Sequence, residues 1–135
     1  MDLQEFISTG AKVLVVDDVP SARKVVSRLL QRLGLTNIVE ANCGDEALRQ
    51  IQTGDVSLVI SDWNMPSMDG LTLLNKLRDE TDGAQVPFIL ITSSADRDEV
   101  IQAFKAGISD YIVKPFNGET LGRKVESVIA QLKNA

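Results

Sequence analysis

Histidine is absent from the 135 residues. That gap excludes Ser-His-Asp and Cys-His nucleophile pairs, histidine-rich metal sites and phosphohistidine carriers together. Any chemistry must run on carboxylates, hydroxyls, lysine and a hard cation. Cysteine occurs once, at Cys43, so no internal disulfide can form. An inert thiol in a reduced, cytoplasmic setting is expected. No window approaches 18 apolar residues, and the start MDLQEFISTG lacks the basic-then-apolar order of a signal peptide, so no membrane insertion is expected. Net positive charge is missing too: 14 basic against 19 acidic residues leave −5, which argues against nucleic acid or an anionic membrane surface as the main partner. Internal repeats and low-complexity tracts are not seen. What remains is 44% apolar and 24% charged, the balance of one globular domain able to bury about two-thirds of its unfolded surface without staples.

Apolar runs of strand length alternate with segments of helical spacing. KVLVVD (12–17), IVEA (38–41), VSLVISD (56–62), PFILITS (87–93) and DYIVK (110–114) are the strand candidates. Between them, apolar residues recur at helical intervals: Ala22, Val25, Val26, Leu29, Leu30 and Leu33, with Pro20 in the first turn and Gly34 as the stop; Ala47, Leu48 and Ile51, ending at Gly54; Leu71, Leu74 and Leu77, starting near Asp69–Gly70; and Val100, Ile101 and Phe104, closed by Gly107. Leu121, Val125, Val128, Ile129 and Leu132 mark a last helix running nearly to the end. The pattern predicts a (βα)5 α/β fold, a doubly wound five-stranded parallel sheet covered on both faces. Residues 1–11 form an N-terminal extension. Leu3, Phe6 and Ile7 have helical spacing there, but so short a helix needs docking to persist.

In an open parallel sheet the crevice lies beyond the carboxyl ends of the strands. Asp17 and Asp18 end the first strand, Asp62 the third, Thr92 and Ser93 the fourth, Lys114 the fifth. Taken singly, each has a plain structural role: a carboxylate after a strand often caps a helix, and Lys114–Pro115 can be an ordinary turn. Together they converge on one rim. Clustered carboxylates repel, so some stay protonated or a cation joins them. Hard oxygen donors without histidine or thiol neighbours point to Mg2+. Lys114 can pair with an anion and Thr92 can donate to one, so the rim looks built for Mg2+ and a phosphoryl group.

VVDD (15–18), DWNMPSMDG (62–70), ITSS (91–94) and YIVKPF (111–116) resemble the motifs of the receiver domain of two-component response regulators. The likeness spans 12–134, nearly the whole chain, and is nearest to the single-domain chemotaxis members. It implies strand order 2-1-3-4-5, the flavodoxin-like arrangement. It implies that Asp62 is the phosphoryl acceptor. Asp18 and Asp62 would bind Mg2+ directly, Asp17 mainly through water and Asn64 through its backbone carbonyl. Lys114 would neutralise phosphoryl oxygens, with a cis bond to Pro115. Thr92 would hydrogen-bond the phosphoryl group and Tyr111 rotate behind it. This pair would switch a surface made by the fourth helix, fifth strand and fifth helix of the repeat. Where the chemotaxis regulators carry an acidic residue this chain has Ser94, which with Asn64 frames the path of hydrolytic water and sets the phosphate's lifetime. The implied partners are a sensor histidine kinase as phosphohistidine donor and a downstream target protein; a monomer is expected, and no enzyme beyond self-catalysed transfer to and hydrolysis from Asp62.

The competing class is an Asp-nucleophile phosphatase of the haloacid dehalogenase type, which needs an acid two residues after the nucleophile; here that position is Asn64. A flavin module would meet two carboxylates where its phosphate loop belongs. Within the family the alternatives are a receiver excised from a larger hybrid kinase or effector protein, and a phosphorelay intermediate or phosphate sink. The Met1 start and the lack of a linker after Leu132 favour a free-standing protein.

Overall fold

The computed structural model describes residues 1–80, 85–94 and 96–132. Elements follow one another as α1 (Leu3–Ser8), β1 (Lys12–Val16), α2 (Pro20–Arg32), β2 (Ile38–Ala41), α3 (Gly44–Thr53), β3 (Val56–Asp62), α4 (Gly70–Glu80), β4 (Phe88–Thr92), α5 (Arg97–Ala106), β5 (Asp110–Val113) and α6 (Gly118–Ala130). The five strands pair in parallel in the order β2-β1-β3-β4-β5. The fold is therefore the expected flavodoxin-like sheet. The two positions at the end of the expected 12–134 range, 133 and 134, lie outside the described residues.

Strand side chains alternate between faces, so each strand feeds two cores. On one face Val13, Val15, Leu58, Ile60, Ile89, Ile91 and Ile112 pack against Val26 and Leu30 of α2 and Leu121, Val125 and Ile129 of α6. On the other, Leu14, Val16, Val59, Phe88 and Leu90 meet Ala47 and Ile51 of α3, Leu73, Leu74 and Leu77 of α4 and Ala103 of α5. Helices on both faces explain why the central strands are apolar at nearly every position.

The N-terminal extension carries α1, whose first turn is capped by the Asp2 carboxylate accepting from the Glu5 N–H at 2.8 Å. Six residues cannot hold a helix unaided. Phe6, 3% exposed, anchors it in the α2/α6 core, with Leu3 and Ile7 beside it. Helix α2 starts at Pro20 and ends through Gly34 at φ 99°; the Leu35 N–H donates to the Leu30 carbonyl at 3.2 Å. Only glycine takes that left-handed turn without strain.

Three apolar residues counted toward helix faces lie outside: Val25 is 51% exposed, Ile101 40% and Phe104 47%. The stripe of α2 that meets the sheet centres on Val26 and Leu30, and α5 touches the core through Ala103, small enough for close approach. The last helix runs to Ala130, near the end of the chain as expected, and Leu132 packs on the core from beyond it.

Candidate functional site

β1 and β3 are central neighbours with Val16 opposite Ser61, and both end at the same rim. Asp17 follows β1 directly and Asp62 is the last residue of β3. One carboxylate oxygen from each of Asp17, Asp18 and Asp62 falls within 4.8 Å of the others. Asp17 and Asp62 are buried, 3% and 6% exposed, and Asp18 is half-buried. From β5's end Lys114 reaches back, its Nζ 2.7 Å from Asp62 Oδ1. The Lys114–Pro115 bond is cis.

The loop after β3 is tightly held. Trp63 N–H donates to the Ile91 carbonyl at 2.8 Å and Gly70 N–H to the Trp63 carbonyl at 2.7 Å. Met65 and Met68 are buried beneath it, and Ser67 takes the left-handed conformation at φ 69°. Gly70 sits so close that a Cβ there would lie 2.5 Å from the Asp62 carbonyl oxygen and 2.7 Å from Leu90 Cδ2. Asp69 caps α4 by accepting from the Thr72 N–H at 2.8 Å.

Burial pushes the Asp17 carboxyl up from its ordinary value; the Val19 N–H donated to Oδ1 opposes this, Asp62 and Asp18 add to it, and Lys114 opposes it. Lys114 therefore leaves the cluster short of positive charge. Hard carboxylate donors with uncompensated charge fit a small divalent cation.

Thr92, 3% exposed, turns its hydroxyl into its own loop. It donates to the Ser94 carbonyl and accepts from the Ser94 N–H, both at 3.1 Å. Asn64 and Ser94 are exposed beside the rim. Tyr111 is not at the rim. Leu90 pairs with Tyr111 and Thr92 with Val113, so alternation puts Thr92 and Tyr111 on the same sheet face, the α3/α4/α5 side. The Tyr111 ring meets the Phe104 ring edge-on at 6.1 Å, and Lys124 Nζ lies 5.0 Å from its centroid. An apolar groove of about 320 Å³ between α2 and the β5–α6 loop, walled by Ala22, Val25, Val26 and Phe116, opens beside Asp17 and Lys114.

The sequence profile of the response regulator receiver domain matches residues 13–126. The chain belongs to that family. The receiver is 38% identical over 130 residues to the chemotaxis protein CheY-3 of Vibrio cholerae, covering 96% of this chain and 100% of the relative. Its fold superposes on the Vibrio cholerae chemotaxis protein CheY4 with TM-score 0.81 at 35% identity, over 87% of this chain and 98% of that one. It is similar, with TM-score 0.82 and 29% identity over 93% and 94% of the chains, to the receiver domain of a signal transduction histidine kinase from Syntrophus aciditrophicus. Among the receiver's described residues no helix is long and apolar enough to cross a membrane.

Some residues that shape the receiver's rim escaped the sequence reading. Arg23 of α2 donates through Nη1 to the Asp17 carbonyl at 2.8 Å and through Nε to Glu40 Oε1 at 2.7 Å. Glu40 also takes Lys24 at 2.9 Å. Burial alone would raise the Glu40 carboxyl, but Lys24 and Arg23 outweigh it and hold it below the ordinary value. Lys124 pairs with Asp110 at 3.1 Å under Tyr111. The one sequence signal for Arg23 was its helical neighbourhood just after VVDD; Glu40, from another strand, gave none.

Proposed function

We propose that this receiver accepts a phosphoryl group on Asp62 from a phosphohistidine of a sensor histidine kinase and signals through a phosphorylation-dependent protein contact. The observation that carries this is the Lys114–Asp62 pair at 2.7 Å beside two further carboxylates. An Asp62 oxygen attacks phosphorus, the P–N bond of the donor breaks, and imidazole leaves with the bonding pair. The product is an acyl phosphate, later hydrolysed by water to restore the carboxylate. Response regulators are not turnover enzymes in the ordinary sense, and here the chain modifies only itself. Asp17, Asp18, Asp62 and the Asn64 carbonyl would hold Mg2+. That ion supplies positive charge to the phosphoryl oxygens when bound. Lys114 holds charge of the same sign from the β5 side, and burial of Asp17 and Asp62 lowers the local dielectric, so positioning and electrostatics do most of the work. Asn64 and Ser94 stand where water must pass and set the phosphate's lifetime.

Thr92 leaves its Ser94 contacts to donate to the new phosphoryl group, Tyr111 moves into the space behind it, and the α5–β5–α6 face changes shape for the downstream target. The groove beside α2 gives the donor protein an apolar foothold next to the rim. The likeness to the Vibrio cholerae chemotaxis proteins supports a role in chemotaxis; in our reading the receiver acts as a cytoplasmic monomer, with the flagellar motor as its target. Residues 1–11 are an extension that serves the fold through Phe6, and 12–134 are the receiver proper. The similarity to a histidine kinase's receiver domain favours a second reading, a receiver working within a larger signalling protein. Incubation with acetyl phosphate and Mg2+, read by intact mass, should add one phosphoryl group to the wild type and none to Asp62→Asn. Equal labelling of the variant rules out Asp62 as the acceptor.

A further inference from the structure

We infer that Arg23 is a positioning residue for the acidic cluster, held in place by Glu40, and that the pair sets the receiver's affinity for its divalent cation. This rests on the metal-binding reading of Asp17, Asp18 and Asp62.

The peptide that joins Asp17 to Asp18 decides where the second carboxylate points. The two backbone torsions of Asp17 set its plane relative to β1, because β1's ladder ends with the Asp17 N–H donated to the Ala41 carbonyl at 3.2 Å. Arg23 restricts that freedom. Its Nη1 holds the Asp17 carbonyl at 2.8 Å, and a planar trans peptide then fixes the Asp18 N–H and Cα. The guanidinium is itself clamped, since Nε donates to Glu40 Oε1 at 2.7 Å and the side chain is only 15% exposed. Glu40 is in turn fixed on β2, where the Gln50 side chain donates to its carbonyl at 2.9 Å. The chain of contacts therefore runs from a sheet strand, through a rigid two-pronged fork, to the backbone between two metal-site carboxylates. Arginine suits this place because its fork can bond two acceptors in one plane; a lysine ammonium cannot span both in the same geometry.

Sign separates this role from the two plain ones. Through space alone, the Arg23 charge repels a cation, so removing it should tighten Mg2+ binding. A purely structural Arg23 should change stability and leave Mg2+ affinity alone. A positioning Arg23 should weaken Mg2+ binding although a positive charge has gone.

The test measures Mg2+ affinity with MgCl2 alone, following Trp63 fluorescence next to Asp62, together with urea stability in EDTA. Arg23→Ala should bind Mg2+ about tenfold more weakly, in the range seen when outer-shell partners of a metal site are lost. Glu40→Gln should show part of that loss. Lys24→Ala, which touches Glu40 but not Asp17, should match the wild type. Unchanged or tighter binding by a cooperatively folded Arg23→Ala overturns the inference while leaving the metal site standing. Should Arg23→Ala lack a cooperative urea transition, Arg23→Lys takes its place, with weaker binding than wild type expected because an ammonium cannot span both acceptors, and wild-type affinity overturning the inference. No Mg2+ response in the wild type overturns the metal reading and this inference together.

Discussion

Asn in place of Asp17 should stabilise the metal-free protein, the reverse of what a buried polar substitution ordinarily does. Asp17 is 3% exposed and its carboxylate oxygen lies within 4.8 Å of oxygens on Asp18 and Asp62. At that separation each like-charge pair repels by about 0.9 kcal/mol under water-like screening, and by about 3.5 kcal/mol at an effective dielectric near 20. Lys114 offsets part of this through Asp62. Asn keeps Oδ1, so the 2.9 Å bond from the Val19 N–H can survive. The net expectation is a gain of about 1–2 kcal/mol at pH 7 in EDTA, a rise in Tm of roughly 3–8 °C. The pH dependence has a defined sign. The folded-state carboxyl of Asp17 is raised, by burial first, so its contribution is fully favourable below the unfolded value and is lost as pH rises through the folded one. Wild type should thus catch up with Asp17→Asn as pH falls from 7. Mg2+ reverses the order: a ligand at about a hundred times Kd adds about 2.7 kcal/mol to the protein that binds it, and the Asn variant has lost one donor. Urea unfolding in EDTA and in Mg2+, across pH, reads all three. A variant less stable than wild type by more than about 1 kcal/mol in EDTA at pH 7 refutes electrostatic frustration at this rim.

Gly70→Ala should lose about 1–3 kcal/mol by overpacking against the Asp62 carbonyl and Leu90, although alanine favours a helix, and should slow acetyl phosphate labelling; a stabilised, fully active variant in urea and mass assays would contradict the close approach. Phe6→Ala should cost about 3–5 kcal/mol of unfolding free energy yet leave Mg2+ affinity unchanged, since α1 packs on the α2/α6 core; a cost below about 1 kcal/mol would mean the docking is not energetically real. Glu40 has a lowered carboxyl, so its contribution is present above the ordinary value near 4.5 and is lost as pH falls through the folded one. Glu40→Gln should accordingly cost about 1 kcal/mol at pH 7 and nothing in strong acid, by urea titration at both pH values. In Thr92→Ala, beryllofluoride should still bind, but its NMR shifts at Tyr111 and in α5 should shrink; undiminished distal shifts would remove Thr92 from the coupling.

The sheet was legible because parallel strands covered on both faces are apolar runs, and their carboxyl ends all open on one side. The strand pattern alone therefore places Asp17, Asp18, Asp62, Thr92 and Lys114 at a common rim. Helix faces were less legible. Val25, Ile101 and Phe104 keep helical spacing with their neighbours, but spacing counts apolar residues and cannot say how narrow the contact stripe is. Arg23 and Glu40 were invisible for a different reason. They lie on different elements, and only the fold makes them adjacent. Gly70 read as a helix start; its contact with the Asp62 backbone depends on loop geometry that no periodicity encodes.

The sheet has two strands with an open edge, β2 and β5, and such edges invite edge-to-edge aggregation between copies. Both are only four residues long. β2 carries Glu40 with its two basic partners, and β5 begins at Asp110, paired to Lys124. A second strand sliding into register would have to strip water from these charges and break their pairs. The same side chains that steady the rim and flank Tyr111 thus act as gatekeepers against strand addition, and replacing Glu40 or Asp110 with valine should show as precipitation on concentrating the protein.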